Sequence, residues 1–495
     1  MRQQGFDNDA YLRTQSEHIR KRIDRFGGKL YLEFGGKLFD DYHAARVLPG
    51  FAPDSKVEML HKLRDQAEIV IVINAADIEK HKVRGDLGIT YDLDVLRLID
   101  AFRELSFQVS GVVISRYASQ PAARDFRSRL ESLGIPVFRH RPIPGYPSNV
   151  PLIMSEEGFG KNDYLETTRP LVVLTSPGGG SGKMSACLSQ LYHDHIRNIQ
   201  SGYAKFETFP IWNLPLRHPV NIAYEAATAD LDDSNMIDPF HLDAHGITAI
   251  NYNRDIDVFP VLQAIFQRIW GYSPYQSPTD MGVNQVGNCI SNDEVVSQAA
   301  KQEIIRRYYA ALCAKQQGLP VKEQVFKIEL LMNQANTTIE DRPVIAAALE
   351  KSEQTGGEPA AAISLADGTI LTGKTSSLLG SSSAMLLNAL KYLAGLDDEV
   401  QLISPEIIRP VQALKSNHLG NRNPRLHTDE ILIALSICAS SNADARLAMD
   451  QLAKLRGCEV HTTVILSQVD ARVFRKLGVN LTCEPRYQTP KLYHK

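Results

Sequence analysis

Apolar positions along the chain fall into two alternating periods. Short apolar runs at 29–34 (KLYLEF), 68–74 (EIVIVIN), 111–115 (GVVIS), 135–138 (IPVF) and 170–175 (PLVVLT) have the length and β-branched content of buried strands. Between them, apolar residues recur three and four apart over 52–67, over a stripe of Leu93, Leu96, Ile99, Ala101, Phe102 and Leu105, over 121–132, and over 183–197. That spacing predicts helices; in the last of them Leu188, Leu191 and Ile196 share the buried side, and Gly134 stops the third. Continuous apolar strands alternating with amphipathic helices predict an α/β fold. Its sheet is mostly parallel with helices on both faces, a three-layer arrangement of the phosphate-loop or Rossmann kind.

The pattern loosens over 203–290, where aromatics, prolines and paired polar residues are dense and only 256–270 reads as a long helix. A further helix is predicted over 292–315, with Val296, Ala300, Ile304 and Tyr308 on one side. Breaks at 318–320 and 356–359 bracket a helical segment. Strand candidates at 362–365 and 463–466 then mix with helices near 383–394, 428–439 and 444–454. The chain accordingly divides into a first α/β domain over 1–325, with an irregular insertion at about 203–290, and a smaller α/β domain over 326–495.

Composition narrows the function classes. The 54 basic and 57 acidic residues leave a formal net charge of −3, so no whole-surface field draws in nucleic acid or an anionic membrane. The N-terminal MRQQGFDNDAYLRTQ lacks a basic stretch followed by an apolar core, and no apolar run approaches bilayer length. A cytoplasmic protein without membrane or nucleic-acid partners is expected, with self-association left open. Cysteines 187, 289, 313, 438, 458 and 483 form no CxxC pair and read as reduced thiols.

The strongest chemical signal is the run from Ser176 through Gly178, Gly179, Gly180, Ser181, Gly182, Lys183, Met184 and Ser185, between a predicted strand and a predicted helix. Glycines allow successive N–H groups to converge on one anion, the helix start adds unsatisfied donors, and Lys183 supplies a mobile charge. Pro177 stands where the triphosphate loop has its first glycine, and Met184 where it has the hydroxyl that ligates magnesium. Phosphate binding is therefore expected more firmly than nucleotide hydrolysis; a nucleotide with magnesium is one candidate ligand. Asp77 and Asp230 are the rival magnesium carboxylates.

Weaker clusters surround this one. Gly35, Gly36, Lys37, Asp40, Asp41, His43 and Arg46 follow the first strand and form a second candidate anion nest, although helix capping and surface pairs would also account for them. Asp86, Tyr91, Asp92 and Arg116 follow other strands, and Glu156, Glu157, Lys161, Asn162, Glu166 and Arg169 precede the glycine loop. His241 and His245 are one helical turn apart, a spacing two metal ligands can use, with Asp238 or Asp243 as a third; but no Glu follows His241 as in HExxH, Asp238-Pro239 reads as an ordinary helix start, and no metal site is expected. In the second domain, 373–383 (GKTSSLLGSSS) is rich in hydroxyls and flexible backbone, and 418–427 (HLGNRNPRLH) gathers two histidines and two arginines.

Four stretches, KLYLEFGGKLFDDYHAARVLPGF, INAADIEKHKVRGDLGITYD, GYAKFETFPIWNLPLRHPVNIAYEAATADL and HLGNRNPRLHTDEILIALSICA, give the chain a resemblance to the UPF0371 or DUF1846 family of bacterial proteins. The resemblance runs over essentially the whole chain. It implies a cytoplasmic protein whose N-terminal region is related to phosphate-loop nucleotide-binding proteins, and it supplies no catalytic residues. Two functional readings follow: an enzyme that binds a nucleotide or phosphorylated metabolite at 176–185 and transfers or activates a group, or a sensor that binds such a ligand without turnover.

Overall fold

The computed structural model describes residues 3–84, 87–231 and 233–489, so Asp86 lies outside the described residues. By their contacts the residues form two compact units. One comprises Gln4–Glu225 with Asp233–Ala299; the other runs mainly from Ala300 onward and includes the short segment beginning at Ala226.

The first unit opens with helix α1 (Asn8–Arg25), capped by the Asp7 carboxylate. Six strands follow: β1 (Leu30–Phe34), β2 (Ala67–Asn74), β3 (Gln108–Ser115), β4 (Val137–Arg139), β5 (Leu171–Thr175) and β6 (Gly202–Phe206). They pair in parallel throughout, in the order β4-β3-β2-β5-β1-β6. Every residue of β2 and of β5 is buried, as strands covered on both faces require.

Helices α2 (Tyr91–Glu104) and α3 (Pro121–Ser132) carry the chain from β2 to β3 to β4, in one direction across the sheet. Helix α4 (Lys183–Ile196) carries it from β5 over β1 to β6, in the other direction. Right-handed crossovers in opposite directions put these helices on opposite faces. The strand order reverses beside β5, and the crevice at such a reversal is where open α/β sheets bind ligands. Pro121 at the first turn and Gly134, at φ 70°, bound α3 as expected.

Two helical stripes differ from the expected ones. Leu93 is 41 % exposed and Ile196 52 %. The buried side of α2 is instead Asp94, Val95, Leu98, Ile99 and Phe102, with Asp94 neutralised by Arg84 at 2.8 Å and Arg97 at 2.7 Å. A buried, paired carboxylate is invisible to a count of apolar positions. Strand β6 also escaped that count, because GYAKF at the sheet edge carries a lysine and a glycine. Gly202 is there because a Cβ would sit 2.0 Å from the Phe26 ring. Beyond it, α5 (Pro239–His245), the hairpin of β7 (Asn235–Ile237) with β8 (Ile250–Tyr252), and α6 (Asn253–Trp270) order much of the stretch expected to be irregular.

The second unit holds α7 (Pro343–Gln354), β9 (Ala360–Ser364), β10 (Ile370–Lys374), α8 (Ser381–Leu393), α9 (Thr428–Cys438), β11 (Glu459–Thr462), α10 (Gln468–Lys476) and β12 (Asn480–Cys483). The sheet order is β10-β9-β11-β12, with β9 antiparallel to both neighbours and β11 parallel to β12. Strand alternation divides β9: Ala361 and Ile363 pack with Met385, Leu386, Leu390, Ile431 and Phe474, whereas Ala362 packs with Val344 and Ala348 of α7. The strand expected at 463–466 lies upstream, at Glu459–Thr462. Its first residue is a charged one that Arg306 holds at 3.0 Å and Arg342 also pairs with, which is why the apolar pattern missed it. All six cysteines are free, and among the described residues no helix is long and apolar enough to cross a membrane.

Candidate functional site

Strand β5 ends at Thr175, and the next seven residues form the glycine loop that delivers the chain to α4. Three carbonyls of this loop are tied to side chains beneath it. The Ser176 hydroxyl donates to Gly178 O at 2.8 Å, the Asn74 amide to Gly180 O at 3.2 Å, and the Ser115 hydroxyl to Ser181 O at 2.5 Å. Asn74 and Ser115 are the last residues of β2 and β3. In a trans peptide the C=O and the following N–H point in opposite directions, so pinning these carbonyls turns the N–H groups of Gly179, Ser181 and Gly182 the other way.

The glycines differ in what they face. Hypothetical Cβ atoms on Gly179 and Gly180 would meet nothing within 4 Å. One on Gly178 would lie 2.3 Å from the Tyr91 hydroxyl, and one on Gly182 2.9 Å from Ser115 Oγ. Gly180 and Gly182 also have φ of 73° and 92°, the left-handed region. Gly182 is the N-cap of α4 and offers no side-chain acceptor, so the first turn of the helix keeps its donors. The Ser181 hydroxyl is buried without a hydrogen-bond partner among the described residues.

Lys183 donates from Nζ to Ser176 Oγ at 3.0 Å. Burial pushes its ammonium below the usual lysine range, with Glu33 and Glu207 opposing the shift and Lys205 adding to it. Glu33, on β1, accepts from the Tyr203 hydroxyl at 2.7 Å. Lys205, on β6, pairs with Glu207 at 2.9 Å and with Asp255 of α6. Burial raises the Glu207 carboxyl to about 7, Lys205 pulling it down and Asp255 pushing it further up. Burial also raises the Tyr146 hydroxyl, with Ser185 and Arg116 opposing the shift and Glu33 adding to it. The loop therefore sits beside two groups, Lys183 and Glu207, whose proton affinities burial brings closer together.

Among the described residues the loop itself lacks the hydroxyl of the standard magnesium seat. Met184 has no hydroxyl, and Ser185 comes one residue late. Asp77 follows β2 but pairs with Lys82 at 3.4 Å, and Lys82 lies 4.9 Å from the centroid of the Tyr91 ring. Asp230 is exposed and belongs to the other unit.

The second candidate nest is largely a helix start. Asp41 caps the helix Tyr42–Val47 through Ala44 N–H at 3.1 Å and pairs with the buried Lys56 at 2.6 Å. Burial opposes its ionisation, but Lys56 and the Ala44 N–H hold its carboxyl below the usual range. Lys56 also donates to Lys37 O at 3.1 Å, and the His43 ring packs edge-on against Phe209 and Tyr224. Gly36 is left-handed, at φ 69°, and Lys37 and Asp40 are exposed; Arg46 is half-buried. Gly35 reaches the loop's surroundings: a Cβ there would lie 2.7 Å from the Glu207 side chain. In the other clusters, Asn162 bonds Ser189 at 3.0 Å and Arg169 bonds Gln108 at 3.0 Å, both packing roles.

A cavity of about 430 Å³ opens on Lys205, Glu207 and Asp255, and it is also lined by Arg22, Trp212, His241, His245 and Asp280. The histidine pair of α5 meets Asp280 here, rather than Asp238 or Asp243. Asp238 caps α5 and accepts from Thr279 Oγ1 at 2.6 Å, and Asp243 is exposed. Burial lowers His241, with Asp280 opposing.

The model of the family described as "Domain of unknown function DUF1846, N-terminal" matches residues 4–336, and the corresponding C-terminal model matches 340–493. The chain belongs to the DUF1846 family. The UPF0371 protein cu0538 of Corynebacterium urealyticum is 58 % identical over 492 residues, covering 99 % of both chains. The UPF0371 protein CE2832 of Corynebacterium efficiens is 59 % identical over 492 residues, and str1377 of Streptococcus thermophilus 58 % over 496, with coverage of 99 % and 100 % of both chains. The family relationship spans both units and assigns no chemistry to either.

Several residues at this site carry no motif. Asn74, Ser115, Glu33, Lys205, Glu207 and Tyr146 come from four strands or strand ends and one connecting loop. A usable signal existed for two of them: Asn74 and Ser115 are the polar residues on which the apolar runs EIVIVIN and GVVIS end.

Proposed function

We propose that the protein binds a phosphorylated small molecule, a nucleotide or a sugar phosphate, at the 176–185 loop, and that Lys183 and Glu207 act on it as proton-carrying groups. The observation that carries this reading is the fixing of the Gly178, Gly180 and Ser181 carbonyls to Ser176, Asn74 and Ser115. The N–H groups that follow these carbonyls point away from those partners, Gly179 and Gly180 have open space at their Cβ positions, and the start of α4 has no side-chain cap. Converging N–H groups and a helix N-terminus favour an anion, and Lys183 adds a charge-assisted contact.

A second reading, ligand sensing without turnover, is favoured by Met184 standing where the magnesium-binding hydroxyl would be. Either reading predicts that the phosphate of the ligand contacts the N–H groups of residues 179–184. Titration calorimetry with a panel of nucleotides and sugar phosphates tests the binding; no heat from any member overturns both readings. Product analysis with each ligand that binds, with and without magnesium, separates them. Turnover supports the enzyme, and binding with no product in either condition supports the sensor.

A further inference from the structure

His241, His245 and Asp280 converge at the cavity of the first unit, away from any motif. The two histidines are i and i+4 on α5 and therefore share a face. Asp280 arrives from a separate short helix, Pro278–Met281. The donor atoms lie close together: His245 Nε2 is 3.0 Å from Asp280 Oδ1, and His241 Nδ1 is 3.6 Å from the same atom. One ligand atom from each of the three residues lies within 4.8 Å of the other two. Bonds of about 2.0–2.1 Å at a tetrahedral angle keep neighbouring ligand atoms roughly 3.3–3.4 Å apart. Both measured separations are within a few tenths of an ångström of that spacing.

The carboxylate is also held as a ligand should be. Asp280 Oδ2 accepts the backbone N–H groups of Gln276 at 3.0 Å and Ser277 at 3.1 Å, which fixes the group and leaves Oδ1 toward the imidazoles. His245 Nε2 is 3.1 Å from Oδ2 as well. The Ser277 hydroxyl accepts from Asp280 N–H at 3.0 Å and lies 2.9 Å from His241 Nδ1. Its proton would yield Nδ1 to a metal while the oxygen keeps its bond to Asp280. An ordinary His245–Asp280 ion pair needs one histidine. It gives no reason for a second imidazole to stand with its ring centroid 4.5 Å from the first.

We propose that His241, His245 and Asp280 form a binding site for one divalent transition-metal ion of the zinc class. Two imidazoles and a carboxylate suit zinc, cobalt or iron(II) and are poor ligands for calcium or magnesium. Three protein ligands leave a fourth position for water. All three residues line the cavity, together with Arg22 and Arg25, so an anionic co-ligand would meet positive charge there. The three ligands are separate from the glycine loop and the inference does not rest on the phosphate reading, although Glu207 lines the same cavity.

The test uses the full chain after chelator treatment, with Zn²⁺ as the probe and no phosphate present. Calorimetry should give one site per chain, and Co²⁺ substitution should give the intense visible absorption of a four- or five-coordinate ion. His245→Ala and His245→Gln, at an exposed position that perturbs folding little, should each weaken Zn²⁺ binding at least tenfold. Asp280→Asn should do the same while retaining the cap through its remaining oxygen, which unchanged circular dichroism would verify. His18→Ala, which lines the cavity outside the triad, should bind Zn²⁺ as the parent does. Zn²⁺ binding that is absent in the parent, or that is equal in the parent and both His245 variants, overturns the proposal.

Discussion

The segments 176–185 and 373–383 are built from much the same residues: glycine, serine, a lysine, and a helix beginning at or near the end. Their glycines face opposite circumstances. In the first, Gly179 and Gly180 have nothing within 4 Å of where a side chain would begin. In the second, a Cβ on Gly373 would lie 2.1 Å from the backbone nitrogen of Met385, so this glycine exists to let α8 press onto β10. The hydroxyls differ in the same way. Ser376 accepts from Leu379 N–H at 3.0 Å, Thr375 Oγ1 donates to Pro359 O at 2.9 Å, and Ser383 Oγ to Leu426 O at 3.0 Å. Each of these satisfies the second unit's own backbone. In the first loop Ser176 and Ser115 also bind backbone, but the carbonyls they hold belong to the loop itself. Similar composition therefore closes one segment by packing and leaves two glycines of the other facing open space.

The sharpest way to break this comparison is Gly373→Ala. Backbone cannot retreat as a flexible side chain can, so the substitution should destabilise the second unit by about 3 kcal/mol, read from urea denaturation. A change near zero would remove the packing explanation.

Lys183→Ala should leave denaturation nearly unchanged, because burial already disfavours its charge in the folded protein. It should weaken the phosphorylated ligand by about 1.5–3 kcal/mol, roughly ten- to more than a hundredfold, in calorimetry. Equal affinity in the two proteins would mean that the ligand sits elsewhere.

The pH dependence of stability should carry the mark of Glu207. Burial raises its carboxyl to about 7 in the folded protein, against the ordinary 4.5, so the native state holds the extra proton between those values. The stability it contributes is fully present below the unfolded pKa and is lost as pH rises through the folded one. Urea midpoints measured from pH 4.5 to 8 should decline less steeply in Glu207→Gln than in the parent. Identical slopes would place the proton on another group.

Smaller effects belong to the loop's ties. Ser115→Ala removes one hydrogen bond to Ser181 O and should lower ligand affinity by about 1 kcal/mol, roughly fivefold. Gly179→Ala should alter stability by less than about 0.5 kcal/mol, since its Cβ enters empty space. A large loss there would show that this face is packed after all.

Much of the sheet was legible because its strands are apolar from end to end. The runs at 68–74 and 170–175 fall on β2 and β5, and the glycine loop lies at the turn its residues announced. What escaped was polar: Asp94 inside a helix stripe, Lys205 in an edge strand, Glu459 at the start of β11. Each is buried or half-buried with a charged partner, near in sequence for Asp94 and far for Lys205 and Glu459, and apolar periodicity carries no information about partners. The same limit governed the chemistry. Gly178 to Lys183 advertise themselves as a run, whereas Asn74, Ser115 and Glu207 reach the loop only after the strands are laid side by side. Of the cluster His241, His245 and Asp280, only the histidine pair was legible as a shared turn; Asp280 comes from another helix, where the sequence had pointed to Asp238 or Asp243.

Helix α4 is anchored at the end remote from the loop. Asp194 accepts from the Tyr31 hydroxyl at 2.9 Å and the Tyr164 hydroxyl at 2.8 Å and pairs with Lys29 at 3.0 Å, and residues 186–194 are all buried. The loop is therefore strung between two immobile supports, β5 and α4. Its conformational entropy is surrendered during folding, before any ligand arrives, so association need not order the backbone again. A ligand taken up here should bind with fast association and slow the amide exchange of residues 178–185 alone, leaving exchange along α4 as it was.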